Sequence, residues 1–194
     1  MKLIAAIILS SVFFNPAKVV TEKWVIEKTS NLRITGRSNI APFQCDVVEY
    51  LHEDTILLQS QEGSPLLGIK GGLEIDINRI DCHQRQVTNN LRKTLKADKI
   101  PVLKIALVSI GNFRIEGRKN VQGAVVIDLA GVSRKMQIDY EVETDSDNNI
   151  QLVGSRQLLF SDFKLKAPNK LAGLVKVDDK LQIRFMLVLR SIHK

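Results

Sequence analysis

The sequence predicts an all-β fold, an antiparallel barrel of about eight short strands with a single helix. Three observations carry this. Apolar residues alternate with polar ones over several segments, the two-residue period of a half-buried strand. Turn-forming residues recur between those segments at regular intervals. The apolar content is Leu, Ile and Val, with only 5% aromatics, the composition of aliphatic-lined β-structure. A chain of 194 residues with 44% hydrophobic and 25% charged residues fits one globular domain. A barrel is preferred to an open sandwich because closure removes exposed sheet edges.

The first segment is not part of that domain. Lys2 precedes an apolar run from Leu3 to Phe14, and Asn15-Pro16-Ala17 follows. A positive start, a short apolar core, a helix breaker and a small residue make up an export signal. The run is shorter than the ~20 residues a spanning helix needs. Residues 1–17 are therefore read as a signal peptide and residues 18–194 as the mature domain. An uncleaved anchor is the alternative, since Asn15 is not the small residue expected two places before a cut after Ala17. No cysteine lies near this point to carry a lipid.

Along the mature chain, Trp24 and Ile26 share one side of a first strand. A turn-rich stretch from Ser30 to Pro42 contains the short Leu32/Ile34 alternation. Phe43, Cys45 and Val47 then oppose Asp46, Val48 and Tyr50, and a short strand at 55–60 ends at Gly63-Ser64-Pro65. Leu73, Ile75 and Ile77 alternate with Glu74, Asp76 and Asn78, but Ile80 and Cys82 fall on the other parity. That slip predicts a β-bulge at Asn78-Arg79. Residues 88–98 read as the helix, with Thr88 as its N-cap, Leu91 and Leu95 on one face, and Pro101 as its stop. The run 102–110 is apolar on both faces, a strand covered on each side, and the chain turns back after Gly111 through Phe113 and Ile115. Val125, Ile127 and Leu129 alternate up to Gly131. Met136, Ile138, Tyr140 and Val142 form the next strand, Asp145 to Asn149 a turn, and Leu152 and Val153 follow. Leu181, Ile183, Phe185, Leu187 and Leu189 form a long closing strand.

The chemistry that would mark an enzyme is missing. The chain has no G-x-S-x-G, phosphate-binding loop, dinucleotide fingerprint or H-E-x-x-H. Its three histidines, His52, His83 and His193, sit in unrelated settings. His83 follows Cys82, but neighbours on a strand face opposite ways. The run from Asp145 resembles a calcium loop, yet Ile150 and Arg156 stand where Gly and Glu are required. No catalytic residue, metal or cofactor is assigned. The net charge of +7 raises nucleic acid as a partner, but aromatics do not interleave with Arg92-Lys93-x-x-Lys96 or Lys164-x-Lys166-x-x-x-Lys170. Those stretches read as a solvated face or as a basic rim for a phosphate or carboxylate head group. Contact with a membrane surface stays open, and oligomeric state is invisible. Cys45 and Cys82 form an even pair with one possible connectivity in an oxidising compartment. Two buried free thiols are the alternative.

Four segments together resemble the YceI-like family: Trp24-Val25-Ile26 leading to Ser30-Asn31-Leu32, Gly36 and Phe43; LRKTLKADKIPVLKI (91–105); VQGAVVIDLAGVSRKMQIDYEV (121–142); and SDFKL (161–165) followed by VDDKLQIRFMLVL (177–189). The region from Ser30 to Cys45 departs from the family, being compressed and lacking its usual His, and the two cysteines are additions. The resemblance implies a lipocalin-like eight-stranded barrel, exported to the periplasm or secreted, that binds a long-chain lipid: an isoprenoid, a quinone or another long-chain amphiphile. Apolar lining is then expected from Leu95, Leu103, Ile105, Val125, Ile127, Phe160, Phe185 and Leu187. The competing expectation is a barrel filled by its own side chains that acts as a structural or partner-binding protein of the envelope.

Overall fold

A computed structural model describes residues 18–47, 50, 53–115, 119–145, 149–170 and 174–192. The signal peptide read at 1–17, Val48, His52, His193 and the tip of the turn at 146–148 lie outside these residues.

The strands are β1 (Val19–Ile26), β2 (Asn31–Ser38), β3 (Pro42–Val47), β4 (Thr55–Gln61), β5 (Leu66–Asp76), β6 (Ile80–Asp81), β7 (Val102–Gly111), β8 (Asn120–Leu129), β9 (Val132–Thr144), β10 (Ile150–Leu159), β11 (Asn169–Lys170) and β12 (Val175–Ile192). Eight of them close a ring in the order β1-β4-β5-β7-β8-β9-β10-β12, with β12 returning to β1. All pairings in the ring are antiparallel. The eight-stranded barrel read from the alternation is the observed fold.

The closing strand serves two layers. Residues 189–192 of β12 pair with β1, while residues 177–186 pair with β2. From β2 the sheet continues to β3 and then to β6, so one end of the barrel is walled by β1 and β4 and the other by β2, β3 and β6. The inward residues of β12, from Leu181 through Phe185, Leu187 and Leu189, are buried. Their outward neighbours Lys180, Gln182, Arg184 and Arg190 are exposed, as the two-residue period requires.

Two details differ from the sequence reading. The parity slip after Asp76 is a 3-10 turn over Ile77–Arg79, not a bulge; its backbone is fixed by the Asp76 carboxylate accepting from Asn78 N–H. Register shifts occur instead between Gly68 and Gly72, between Leu107 and Ser109, and between Val177 and Leu181. The helix α1 spans Arg85–Thr94, with Gln84 at its N-cap, and so starts and ends earlier than 88–98. Thr88 does not cap it. It is buried within the helix, where its hydroxyl donates to Asp81 at 2.9 Å and accepts the Cys82 N–H at 2.9 Å. A residue that reads locally as a cap is recruited by a tertiary contact to tie α1 to β6.

Cys45 and Cys82 form a disulfide. The register explains the pairing: Val47 opposes Ile80 and Asp46 opposes Asp81, which brings the next pair, Cys45 and Cys82, face to face. His83 is not on a strand; it lies in the loop after β6 with φ of 60°, and its Nε2 meets Asp46 at 2.9 Å. The hairpin between β8 and β9 is a two-residue turn at Ala130-Gly131, both at positive φ, the backbone that matches strand twist.

Candidate functional site

The barrel interior is mainly apolar at its middle and its α1 end, and it is not completely filled. One void of about 50 Å³ lies at mid-barrel between Leu73, Ile75, Leu107, Ile138 and Leu187. A second, of about 60 Å³, lies against α1 between Ile80, Leu91, Leu95, Phe163 and Leu181. Leu32, Ile105, Ile127, Leu158 and Ile183 border both, so the two voids are neighbours inside the barrel with those side chains between them, and together they are called its lumen. A water needs about 10–15 Å³ of such space, so each void is narrow, with room for a few water-sized groups.

The eight residues expected to line a ligand all border this lumen. Val125, Phe185 and Leu187 face the mid-barrel void. Leu95, Leu103 and Phe160 face the void against α1. Ile105 and Ile127 stand between them. Their placement follows from strand parity: Ile105 opposes Ile127 across β7 and β8, and Leu187 opposes Leu152 across β12 and β10. Leu95 sits just past α1, as its C-cap.

The wall itself is shaped around aromatic rings. Gly154 lies opposite both Tyr140 on β9 and Phe185 on β12. A Cβ at Gly154 would stand 2.2 Å from the Phe185 ring, so only glycine lets that ring lie across β10. Tyr140 and Phe185 then meet edge to face, with ring centroids 5.5 Å apart, a favoured aromatic geometry. Burial pushes the Tyr140 phenol well above its usual range.

Sequence reasoning overlooked one lumen residue of different character. Arg156 borders the mid-barrel void and is the one charged side chain to do so among the described residues. It shares the inward parity of Leu152 and Leu158 on β10, a signal that its polar neighbours Ser155 and Gln157 mask. The basic stretches singled out earlier sit elsewhere. Arg92 of α1 is spent on the Ile80 carbonyl, at 3.1 and 2.9 Å.

No group of three or more metal-ligating side chains occurs among the described residues. Two polar clusters serve structure. Asp46 is partly desolvated, but hydrogen bonds from Arg33, His83 and Gln44 outweigh that and hold its carboxyl below the usual range. Burial, with the hydrogen bond it gives Asp54 at 2.5 Å, raises the Tyr50 phenol.

The family model for the YceI-like domain matches residues 29–189. The chain belongs to the YceI-like family. Solved structures share its fold. The crystal structure of Burkholderia cenocepacia BcnA superposes with a TM-score of 0.63 at 13% identity, covering 82% of this chain and 95% of BcnA. A polyisoprenoid binding domain from Saccharophagus degradans, implicated in plant cell wall breakdown, superposes with a TM-score of 0.60 at 12% identity, covering 87% of this chain and 98% of that domain. At such identities the likeness is one of fold. No curated protein matches the sequence.

Proposed function

We propose that this YceI-like protein is an exported, periplasmic carrier that holds an isoprenoid, quinone or other long-chain amphiphile inside its barrel and acts by binding rather than by catalysis. The observation that carries this reading is the pair of neighbouring voids between α1 and Leu187, bordered mainly by aliphatic side chains. Such walls offer a hydrocarbon tail about 0.8 kcal/mol for each CH₂ removed from water. The polyisoprenoid-binding name of the Saccharophagus degradans neighbour and the disulfide, which suits an oxidising compartment, support it. An eight-stranded barrel holds one slender ligand. With voids of about 50 and 60 Å³, a tail enters only if lining side chains change rotamer.

That narrowness also favours the second reading, a barrel filled by its own residues that works through a protein partner. Native mass spectrometry on the exported protein, followed by extraction of what co-purifies, separates the two. A stoichiometric long-chain lipid establishes the carrier. A bare mass that incubation with isoprenoids, quinones and fatty acids leaves unchanged sinks it.

A further inference from the structure

The barrel wall parts between β9 and β10, and a charge stands in the parting. The β9–β10 ladder runs from Thr144–Ile150 to Asp139–Ser155 and stops there. Below that point β9 stays paired with β8 as far as Val132, and β10 with β12 as far as Leu159. Neither strand bonds the other. The 3-10 turn Phe160–Phe163 closes the bottom of the wedge, where Arg134 Nε donates to the Asp162 carbonyl at 2.7 Å.

Arg156 is the first residue of β10 beyond the last rung. It faces Ile183 of β12 across the inner surface, borders the mid-barrel void, and is nonetheless exposed. Among the described residues it has no hydrogen-bond or ion-pair partner. A guanidinium left unpaired beside an aliphatic lumen offers five N–H donors in a planar fork that fits an oxyanion. A second observation points the same way. Tyr140, 3% exposed, borders the same void, and its hydroxyl meets no partner among the described residues. Tyr140 opposes Gly154, two residues before Arg156 on the same face of β10, so Tyr140 and Arg156 both stand where the ladder ends.

We infer that the opening between β9 and β10 is the head-group subsite of the lumen, and that its ligand is a single-chain amphiphile with an anionic oxyacid head. Arg156 takes the carboxylate or phosphate at the opening, the Tyr140 hydroxyl donates to the same head or to the first oxygen of the chain, and the tail runs along Ile105 and Ile127 toward α1. This rests on the carrier reading and adds to it that the head is read by charge.

The test compares chains of one length with different heads on the delipidated full-length protein, below their micelle concentrations: oleate, oleyl alcohol and oleyl phosphate, each titrated at pH 8. The acid or the phosphate is expected to bind at least about tenfold tighter than the alcohol, the scale of one charge-assisted hydrogen bond. Arg156→Gln is expected to abolish that preference, Arg156→Lys to keep part of it, and Tyr140→Phe to weaken all three. A stronger hold on phosphate marks a lipid phosphate as the ligand, and a stronger hold on oleate marks a fatty acid; either supports the subsite. Alcohol binding as tight as acid, or a preference that survives Arg156→Gln with the melting temperature unchanged, overturns the subsite and leaves the carrier standing. Failure of all three chains to bind overturns the subsite, and the carrier reading is then decided by native mass spectrometry with isoprenoids and quinones.

Discussion

The two ends of the barrel are built from the same aliphatic residues and yet differ in how they are closed. At the β1/β4 end, Trp24, Ile26, Ile56, Leu67, Ile110 and Leu152 are buried to 5% exposure or less, and none of them borders the lumen. Glu22 caps that end, accepting from the Trp24 indole at 3.2 Å and from both terminal nitrogens of Arg114 at 2.7 and 2.6 Å. At the β2/β3/β6 end, closure relies on cross-links between elements: the disulfide, Thr88 between α1 and β6, and Asp46 among Arg33, Gln44 and His83. One end is held by packing density and the other by discrete ties around an incompletely filled interior. An end held by ties can keep space inside it.

The largest expected difference comes from core truncation. Ile110→Ala at the packed end should cost about 3–5 kcal/mol, because the removed atoms leave a cavity in a dense region. Ile127→Ala, at a position that already borders empty space, loses fewer contacts and should cost about 2 kcal/mol. Chemical denaturation of the two variants checks this, and equal losses would break the comparison. Next in size is the disulfide. Paired Cys45→Ser and Cys82→Ser substitutions release a loop of 37 residues and should cost about 3–4 kcal/mol on the chain-entropy account. Hydrogen exchange should then rise in β2, β3, β6 and α1 and stay unchanged in β1 and β4.

A smaller loss, about 1–2 kcal/mol, is expected for Thr88→Val, which keeps the shape and removes two hydrogen bonds from a buried site; the same exchange experiment should localise it to α1. The smallest effect is a pH dependence. The Asp46 carboxyl is held below its ordinary value of 3.8, so its contribution is present at neutral pH and is lost as the pH falls through and below that value. Melting scans across that range should show Asp46→Asn less sensitive to acid than the parent protein, and an identical acid slope in both would remove Asp46 from the account.

The parts of the fold that were legible in the sequence are those decided by side-chain period. Alternation from Val125 to Leu129 and from Leu181 to Leu189 puts Val125 with Ile127, and Phe185 with Leu187, on one face of their strands, and those faces border the voids. What escaped was decided by partners distant in sequence. The start of α1 was misjudged because Thr88 answers to Asp81 and Cys82 rather than to its own helix. The long β12 reads as one strand, but nothing in its pattern tells that it divides its edge between β1 and β2. Arg156 shows the limit from the other side: its parity with Leu152 and Leu158 is visible, but only the end of the β9–β10 ladder gives an inward arginine somewhere to go.

The division of β12 also sets how the barrel can come undone. One strand, Val175–Ile192, seals both the wall begun by β1 and the wall begun by β2. Without its pairings the ring of eight is an open sheet with no enclosed interior. Its seal to β1 rests on residues 189–192 alone, so removing residues 190–192 would part β1 from β12 and leave the other pairings of the ring in place.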